Sequence, residues 1–338
     1  MTTTTASAAS AGTSTAGVVV ADRVLDGPHG DLRVRVYLPA EGATPTAGLV
    51  WAHGGGFMHG DLDMPEADLV ARTMAAHVVV VVSVDYALCP ELDRDDSEAS
   101  VEAGGVRFPV AHDELTFAFR WAVGTGLGAP DGSWALGGAS AGGNLAAGAS
   151  LRLRDDAARP GTGLHPAGDD GGTSVPSSGS GATTPGSAAQ RTPRSVVLAY
   201  PVVHDGLPTP RPELAGKIAA LPVGRDFPPP VVRAMNDNYL GHRRGSESPY
   251  AFPGGADLRG LPPTLIVNSD HDALRSSGEA FAAELAASGT DVYLVREDGT
   301  FHGHLNQPDD PGCARSLARI AAWLTADGLV GATHEPPP

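Results

Sequence analysis

The sequence contains few of the residues that stabilise disulfide-bonded or metal-dependent domains. Cys89 and Cys313 are its only cysteines among 338 residues, too few for a disulfide framework or a cysteine-based zinc site. It also has no run of about 18 consecutive apolar residues, the length that a membrane-spanning helix needs. Residues 1–17 lack the basic start and the apolar centre of a signal peptide. We therefore expect a disordered leader and a cytoplasmic protein.

Basic side chains are also scarce. The chain has 23 Lys and Arg against 39 Asp and Glu, which gives a formal charge of −16, and Lys217 is its only lysine. Because binding to a nucleic-acid backbone needs a basic surface, a nucleic-acid partner is not expected. The hydrophobic fraction of 41% is sufficient for one sizeable core.

Two stretches have a composition that does not suit a folded core. Residues 160–190 are dominated by Gly, Pro, Ser and Thr, and residues 92–106 are acidic with few apolar side chains. Such segments bury too little apolar surface to offset the entropy lost on ordering. We interpret both as surface loops inserted into a single domain that spans 18–338. The alternative is that 160–190 links two independent domains.

The remaining sequence alternates short apolar runs with longer amphipathic stretches. The predicted strands are 31–38, 48–52, 78–84, 134–138, 196–200, 264–268 and 292–295. The predicted helices are 65–77, 110–123, 142–154, 229–240, 275–288 and 313–327. Most strand candidates are apolar throughout, which is typical of strands covered on both faces, so the alternation predicts a doubly wound α/β fold with a mostly parallel sheet. Because the strands after residue 195 continue the same series, the two-domain alternative is weak.

A candidate nucleophile lies directly after the predicted strand at 134–138. Residues 138–142 read Gly-Ala-Ser-Ala-Gly and open a predicted helix, the context in which a G-x-S-x-G motif places a serine on a tight turn. Glycines suit that turn because neighbouring backbone passes close, and the helix N-terminus favours developing negative charge. The motif therefore predicts Ser140 as a catalytic nucleophile rather than an idle serine in a glycine-rich turn.

A second glycine-rich turn follows an earlier predicted strand. Residues 53–57 read His-Gly-Gly-Gly-Phe, an arrangement that lets the backbone fold tightly and direct N–H groups at a ligand. Because ligands bind at the carboxyl ends of strands in an α/β sheet, this turn and Ser140 should lie close together. We assign oxyanion-hole donation to the N–H groups of Gly55, Gly56 and Ala141.

The acid and the base of such a site each have two candidates. A serine hydroxyl needs a base to take its proton, and the base needs an orienting acid. Asp270 and Asp272 follow the predicted strand at 264–268, and His302 and His304 follow the next strand. We favour Asp272 and His302, and one of the acids could instead cap the helix that follows. Either pair lacks further metal ligands at the usual spacing, so no metal site is expected.

Together these motifs resemble the hormone-sensitive-lipase-like branch of the α/β-hydrolase esterases. Residues 85–91, Asp-Tyr-Ala-Leu-Cys-Pro-Glu, are similar to the family's D-Y-R-L-A-P-E, and the matches follow the family's order over about residues 30–320. The other matching stretches are 53–57, 108–109 with Asp113, 138–144, 200–203, 261–263, 272–275 and 302–303. The resemblance implies an α/β-hydrolase fold, with a central mostly parallel sheet flanked by helices and a reduced cap.

The resemblance also implies which residues carry out the chemistry. It implies Ser140, Asp272 and His302 as a catalytic triad, beneath the same oxyanion donors. It favours Asp272 over Asp270 because the family's acid is the one followed by x-Leu. If the resemblance holds for the site, the three side chains come from separate parts of the sequence and meet at the carboxyl edge of the sheet.

Supporting residues and departures from the family pattern follow from the same resemblance. His53 would organise the oxyanion loop, and Glu91 would brace the site without taking part in catalysis. Ala139 stands where the family usually has an acid, and His304 replaces the usual Phe, which would make the rim more polar. The N-terminal cap helices of many relatives are short or missing here, which leaves 204–240 as the main lid candidate.

The site and the resemblance predict a serine carboxylic-ester hydrolase that acts on short-chain acyl or acetyl esters and needs no cofactor. A reduced lid favours small-molecule esters over long-chain fat. The alternatives are a non-catalytic small-ligand receptor on the same fold, or a related lyase, amidase or acyltransferase that uses the same site. As the resemblance suggests, a strand at the edge of the sheet could pair across a homodimer.

Overall fold

The computed structural model describes residues 17–92, 105–159, 192–222, 227–241 and 248–326. The predicted leader at 1–17 and the predicted insertions at 92–106 and 160–190 lie outside the described residues, apart from residues 17, 92, 105 and 106. The described residues form one sheet with helices on both of its faces.

Eight strands form the sheet. They are β1 (Val19–Gly27), β2 (Gly30–Leu38), β3 (Ala47–Ala52), β4 (Val79–Val84), β5 (Trp134–Ala139), β6 (Val196–Ala199), β7 (Thr264–His271) and β8 (Val292–Phe301). Their order is β1-β2-β4-β3-β5-β6-β7-β8. β2 is antiparallel to both β1 and β4, and all other neighbours are parallel. The predicted mostly parallel sheet is thus confirmed, and β6 to β8 continue the sheet that β1 to β5 begin.

Helices cover the two faces of the sheet. They are α1 (Pro65–Ala76), α2 (Val110–Thr125), α3 (Ala141–Ala158), α4 (Pro212–Ala219), α5 (Pro229–Leu240), α6 (Arg275–Ala287) and α7 (Pro311–Thr325). In β3, Val50 packs in the core beneath α2 and α3, whereas Leu49 and Trp51 pack in the core beneath α1 and α7. This burial on both faces explains why the central strands consist almost entirely of apolar residues. None of the described helices is long and apolar enough to cross a bilayer.

Two elements have no counterpart among the predicted ones. β1 is an edge strand whose residues are mostly exposed, and its only apolar run is the short one at its start, next to the segment 1–17 that lacks any periodicity. α4 has only eight residues, of which Leu214 alone is buried, too few to show a helical period. Both elements depend on contacts with the rest of the fold rather than on a strong local pattern.

The carboxyl ends of four parallel strands bring the candidate site residues to one edge of the sheet. His53 directly follows β3, and Ser140 directly follows β5, the strand paired with β3. Asp272 directly follows β7, and His302 directly follows β8, the strand paired with β7. The topology therefore gathers side chains that are up to 249 positions apart in the sequence.

Candidate active site

Ser140 occupies a strained turn between β5 and α3. Its backbone has φ 53° and ψ −115°, a region that residues with a side chain rarely adopt. A Cβ atom on Gly142 would collide with the carbonyl oxygens of Ala52 and His53, and one on Gly138 would collide with Gly142. Close backbone approach therefore explains both glycines of the motif.

The Ser140 hydroxyl stands at the end of a chain of hydrogen bonds. Its Oγ lies 3.0 Å from Nε2 of His302, and Nδ1 of the same ring lies 2.7 Å from Oδ2 of Asp272. Because a carboxylate only accepts, we assign the ring proton to Nδ1, which leaves Nε2 free to accept the proton of Ser140. The second oxygen of Asp272, Oδ1, accepts the backbone N–H of Leu274 at 2.9 Å, which fixes the orientation of the carboxylate.

Two aromatic rings hold the His302 imidazole in place. The ring centroids of Tyr200 and Phe227 lie 5.1 Å and 4.7 Å from it, both edge-to-face. The Asp272 side chain is fully buried, whereas the His302 side chain keeps 13% of its surface exposed. The acid is thus shielded from water, while the imidazole and the neighbouring serine remain reachable.

Asp270, the other acid candidate, is turned into a network of ion pairs. It pairs with Lys217 and, at 3.2 Å, with Arg275, and its Oδ2 accepts the N–H of Gly299 at 3.1 Å. Arg275 is itself fully buried. The structure therefore brings Asp272, rather than Asp270, against the imidazole.

His304, the other histidine candidate, is enclosed in the core. Its Nδ1 lies 2.9 Å from Oγ of Ser269, and its Nε2 lies 2.8 Å from Oγ of Ser316. Burial lowers the pKa of His304 to about 4, so the ring stays neutral near pH 7. His304 also borders the cavity that His302 lines, but it is only 2% exposed and two serines satisfy both of its nitrogens, so it contributes less to a polar rim than expected.

The glycine-rich loop after β3 turns sharply beside Ser140. Gly55 has φ 121° and Gly56 has φ 62°, conformations that favour glycine. A Cβ on Gly54 would lie 3.5 Å from Cβ of Ser140, so the loop passes close to the serine. Within the described residues, the N–H groups of Gly55, Gly56 and Ala141 donate no hydrogen bond to another protein group. Unpaired amides beside a serine hydroxyl are the arrangement that the predicted oxyanion hole requires.

His53 lies beneath this loop and contacts it through both its ring and its backbone. It is fully buried, and its Nδ1 donates to the carbonyl oxygen of Gly54 at 2.7 Å. The ring stacks on Tyr86 with 4.3 Å between centroids, and the Tyr86 hydroxyl donates to the carbonyl oxygen of His53 at 2.8 Å. Burial lowers the pKa of His53 and so favours its neutral form.

Glu91, the second supporting residue that the resemblance implies, extends into solvent. Its side chain is 79% exposed, and its carboxylate lies 3.5 Å from Nδ1 of His59. An exposed ion pair of this kind contributes little to stability. The segment that contains Glu91 contacts the loop through its backbone instead, since the N–H of Cys89 donates to the carbonyl oxygen of Phe57 at 2.8 Å.

The structure adds a buried acid, Glu66, that the sequence motifs do not mark. It lies in the first turn of α1, fully buried, and accepts hydrogen bonds from Nε1 of Trp51 at 2.7 Å and from the N–H of Gly54 at 3.0 Å. Burial raises the pKa of Glu66 to about 7. The sequence does contain a signal, because Glu66, Val70 and Met74 form one buried stripe at helical spacing.

Comparison with known proteins identifies the family. Residues 49–306 match the family described as alpha/beta hydrolase fold, which is more than half of the chain. The chain belongs to this family. Its eight-stranded, mostly parallel sheet flanked by helices is the fold expected of an α/β-hydrolase.

Relatives of this α/β-hydrolase are named as esterases. It is 32% identical over 290 residues to the carboxylic ester hydrolase LipN of Mycobacterium tuberculosis, an alignment covering 86% of this chain and 65% of LipN. It is 30% identical over 282 residues to the carboxylesterase NlhH of the same organism, covering 82% of this chain and 72% of NlhH. These relatives indicate a hydrolase enzyme and confirm the resemblance to esterases.

A solved structure shows the same relationship. The hyperthermophilic esterase from the archaeon Pyrobaculum calidifontis superposes on this α/β-hydrolase with a TM-score of 0.69 at 28% sequence identity. The superposition covers 92% of this chain and 87% of that chain. The similarity therefore extends over almost the whole fold rather than over one motif.

Two cavities of this α/β-hydrolase lie beside the hydrogen bonds that join Ser140, His302 and Asp272. One, of about 500 Å³, is lined by His302, Phe227 and Phe301 and by the polar segment 307–310. The other, of about 420 Å³, is mostly apolar, lies between α4 and α5, and shares Phe227 with the first. Among the described residues, no group of three His, Cys, Asp or Glu side chains could hold a metal ion.

The lid candidate at 204–240 contains α4 and α5, and residues 223–226 within it lie outside the described residues. α4 is joined to the end of β7 and the start of α6 by ion pairs. Lys217 pairs with Asp270, and Glu213 pairs with Arg275 at 2.8 Å. The chain's single lysine is thus used to attach this helix beside the site.

Proposed function

We propose that this protein is a serine carboxylic-ester hydrolase whose nucleophile, base and acid are Ser140, His302 and Asp272. The observation that carries the proposal is the continuous hydrogen-bonded chain from the serine hydroxyl, through the imidazole, to a buried carboxylate. The carboxylesterase relatives support the same class of reaction.

The proposed reaction begins when Oγ of Ser140 attacks the ester carbonyl carbon and Nε2 of His302 takes the hydroxyl proton. The carbonyl oxygen becomes an oxyanion that the N–H groups of Gly55, Gly56 and Ala141 stabilise. One such donor typically contributes about 2.7–4 kcal/mol in the transition state. The bond from the acyl carbon to the leaving oxygen then breaks, and the alcohol departs with the proton of the imidazolium.

The acyl group, now bound to Ser140, is released by water. His302 takes a proton from the water as its oxygen attacks the acyl carbon. The second tetrahedral intermediate collapses, the carboxylic acid leaves, and Ser140 regains its proton from the imidazolium. Both halves of the reaction are redox-neutral proton and acyl transfers, so the proposed mechanism needs no cofactor.

We infer that the substrates are small molecules with short acyl or acetyl groups. The cavity beside His302 is of moderate size, about 500 Å³, and its lining includes the polar segment 307–310. The lid candidate at 204–240 contributes only two described helices, of eight and twelve residues. Neither feature provides a long apolar channel for a fatty acyl chain, and the mostly apolar cavity between α4 and α5 adds only about 420 Å³.

An acyl-length series tests the proposed function. We expect p-nitrophenyl acetate and butyrate to be hydrolysed with a kcat/KM about 10-fold or more above that of the laurate, because the long acyl chain of the laurate would extend beyond the cavity into water. Initial rates from acetate to laurate, beside a panel of acetylated small molecules, provide the measurement. Product analysis with and without an acceptor alcohol separates hydrolysis from acyl transfer. A rate that rises steadily to the laurate would contradict short-chain specificity, and binding without turnover would favour a receptor.

We also infer a homodimer formed through β8. This strand is at the edge of the sheet, and its Tyr293 and Leu294 are 50% and 41% exposed. An unpaired edge strand with apolar side chains can pair with the same strand of a second copy. We expect light scattering to give about twice the mass of one chain, and Leu294→Arg to give the monomer. Val24→Arg, on the exposed opposite edge, is the control, and a wild-type monomer at all concentrations would refute the dimer.

We interpret 18–338 as a single domain, because the described strands form one continuous sheet. We interpret 204–240 as the lid of this domain, because α4 and α5 lie beside the two cavities near His302. The location in the cytoplasm stays a prediction from the sequence. The small-molecule ester remains the only partner that the proposed chemistry requires.

A further inference from the structure

Glu66 lies directly behind the oxyanion loop, with the loop between its carboxylate and the nucleophile. A Cβ on Gly54 would stand 3.4 Å from Oε2 of Glu66 and 3.5 Å from Cβ of Ser140. A single backbone residue therefore separates the buried carboxylate from the serine. This position keeps Glu66 from touching a substrate, so any effect on the reaction has to act through the loop or through charge.

Both oxygens of the Glu66 carboxylate accept a hydrogen bond. Oε1 accepts the indole N–H of Trp51 at 2.7 Å, and Oε2 accepts the backbone N–H of Gly54 at 3.0 Å. Indole and amide N–H groups only donate, so a buried acceptor is needed to satisfy them. The residue also lies in the first turn of α1, where the helix dipole favours a negative charge.

The backbone of Glu66 contacts the other half of the site. Its N–H donates to Oδ1 of Asn306 at 3.0 Å, and the N–H of Asn306 donates to the carbonyl oxygen of Gly303 at 2.9 Å. Gly303 directly follows His302. One residue thus connects the loop that carries the oxyanion donors with the segment that carries the base.

We propose that Glu66 is a positioning residue for ester hydrolysis, because its carboxylate holds Gly54 and so determines where the N–H groups of Gly55 and Gly56 point. This inference rests on the proposed function, since it concerns the oxyanion formed in that reaction. Oxyanion donors are effective only when they are already oriented, and a displacement of about 1 Å can cost about 10²-fold in rate.

The groups around Glu66 make this positioning sensitive to pH. Burial raises the pKa of Glu66 to about 7 and raises the pKa values of Tyr86 and Tyr200 well above their usual value, so both tyrosines stay neutral. Burial also lowers the pKa of His53. His302, which becomes an imidazolium during the proposed reaction, is the group whose charge then interacts with Glu66. Above about pH 7 the carboxylate is ionised and favours the imidazolium that forms there.

Glu66→Gln tests the proposal because it keeps the side-chain size but removes the charge and one of the two acceptors. At pH 8 we expect kcat to fall about 10- to 100-fold, with KM within about 2-fold of the wild-type value. Inhibition by a trifluoromethyl ketone, which forms an oxyanion on the serine, should weaken by a similar factor. At pH 5 the two kcat values should converge to within about 3-fold, because the wild-type carboxyl is then protonated.

Two variants control this experiment. Asp68→Asn changes another carboxylate of α1, one that accepts from the Tyr37 hydroxyl at 2.9 Å and from Arg72 at 2.6 Å, and it should leave kcat and the pH profile unchanged. Trp51→Phe removes one hydrogen bond that favours the ionised form of Glu66. The pKa of Glu66 then rises, so the acid side of the kcat profile should move to higher pH.

The outcomes separate this proposal from the proposed function. A Glu66→Gln variant that folds and keeps the wild-type kcat, or whose kcat falls by the same factor at every pH, overturns the positioning role. The proposed function stands in that case as long as Ser140→Ala is inactive. If Glu66→Gln does not fold, an unchanged acid limb in Trp51→Phe overturns it. A Ser140→Ala variant with full activity overturns the proposed function itself.

Discussion

Replacing Ser140 with alanine is expected to lower kcat for p-nitrophenyl acetate by about 10⁴- to 10⁶-fold. The serine hydroxyl lies 3.0 Å from the imidazole that would activate it, and alanine leaves no atom that can form the acyl-enzyme. The remaining rate would come from the oxyanion donors and from substrate binding, which still act on a water attack. Initial rates on purified variants, with thermal unfolding to confirm the fold, provide the measurement.

Ser150→Ala is a matched control for that result. Ser150 lies on the same helix α3, is 1% exposed, and its Oγ has no hydrogen-bond partner among the described residues. Its removal should leave kcat unchanged, and a fluorophosphonate should label this variant and the wild type once per chain, but not Ser140→Ala. Full activity in Ser140→Ala, or labelling at another serine, would contradict the proposed nucleophile.

Asp272→Asn is expected to lower kcat about 10³- to 10⁴-fold while leaving the fold intact. The carboxylate accepts the Nδ1 proton of His302 at 2.7 Å, which keeps Nε2 unprotonated and able to take the proton of Ser140. An asparagine amide can instead donate to Nδ1, which favours the ring tautomer with its proton on Nε2. The measurement is the kcat of the folded variant as a function of pH. The loss of kcat should persist over the whole pH range in which the wild type is active.

Asp270→Asn separates the proposed catalytic role of Asp272 from the structural role of Asp270. Asp270 lies two positions away and pairs with Lys217 and the buried Arg275. Removing the charge of Asp270 weakens its ion pair with the buried Arg275, so we expect a lower Tm but a kcat within about 5-fold of wild type. A large loss of kcat in Asp270→Asn together with a small one in Asp272→Asn would reverse the assignment of the acid.

The fold class could be read from the sequence because its signals are local. A strand covered on both faces favours apolar residues at nearly every position, and the central strands β3, β4 and β5 are fully buried, with Ser83 of β4 as an exception to the apolar pattern. The two glycine-rich turns could be predicted equally well. The close approach of Ala52 leaves no room for a side chain at Gly142, and the left-handed backbone at Gly55 favours glycine. β1 and α4 were not predicted because their signals are short: β1 has one brief apolar run, and α4 has only eight residues.

The choice between neighbouring candidates depended on side-chain direction. Asp270 and Asp272 lie only two positions apart, yet one faces Lys217 and Arg275 while the other faces His302. The bulge in the pairing of β7 with β8 lies at this point in the strand, so a simple alternation of faces does not predict their directions. His304 illustrates the same limit, because its polarity suggests exposure, whereas two serines allow its burial.

The amino-acid sequence alone determined the class of sheet, the two turns that need glycine, and the set of acids and histidines able to complete a serine-based site. Those features follow from backbone sterics and from the apolar composition of buried strands, which act over a few residues. Only the tertiary structure shows that Asp272 and His302, the pair favoured in the sequence, meet Ser140, and that Glu66 is buried behind the glycine-rich loop. Such choices depend on distances between residues far apart in the chain, which the folded sheet alone defines.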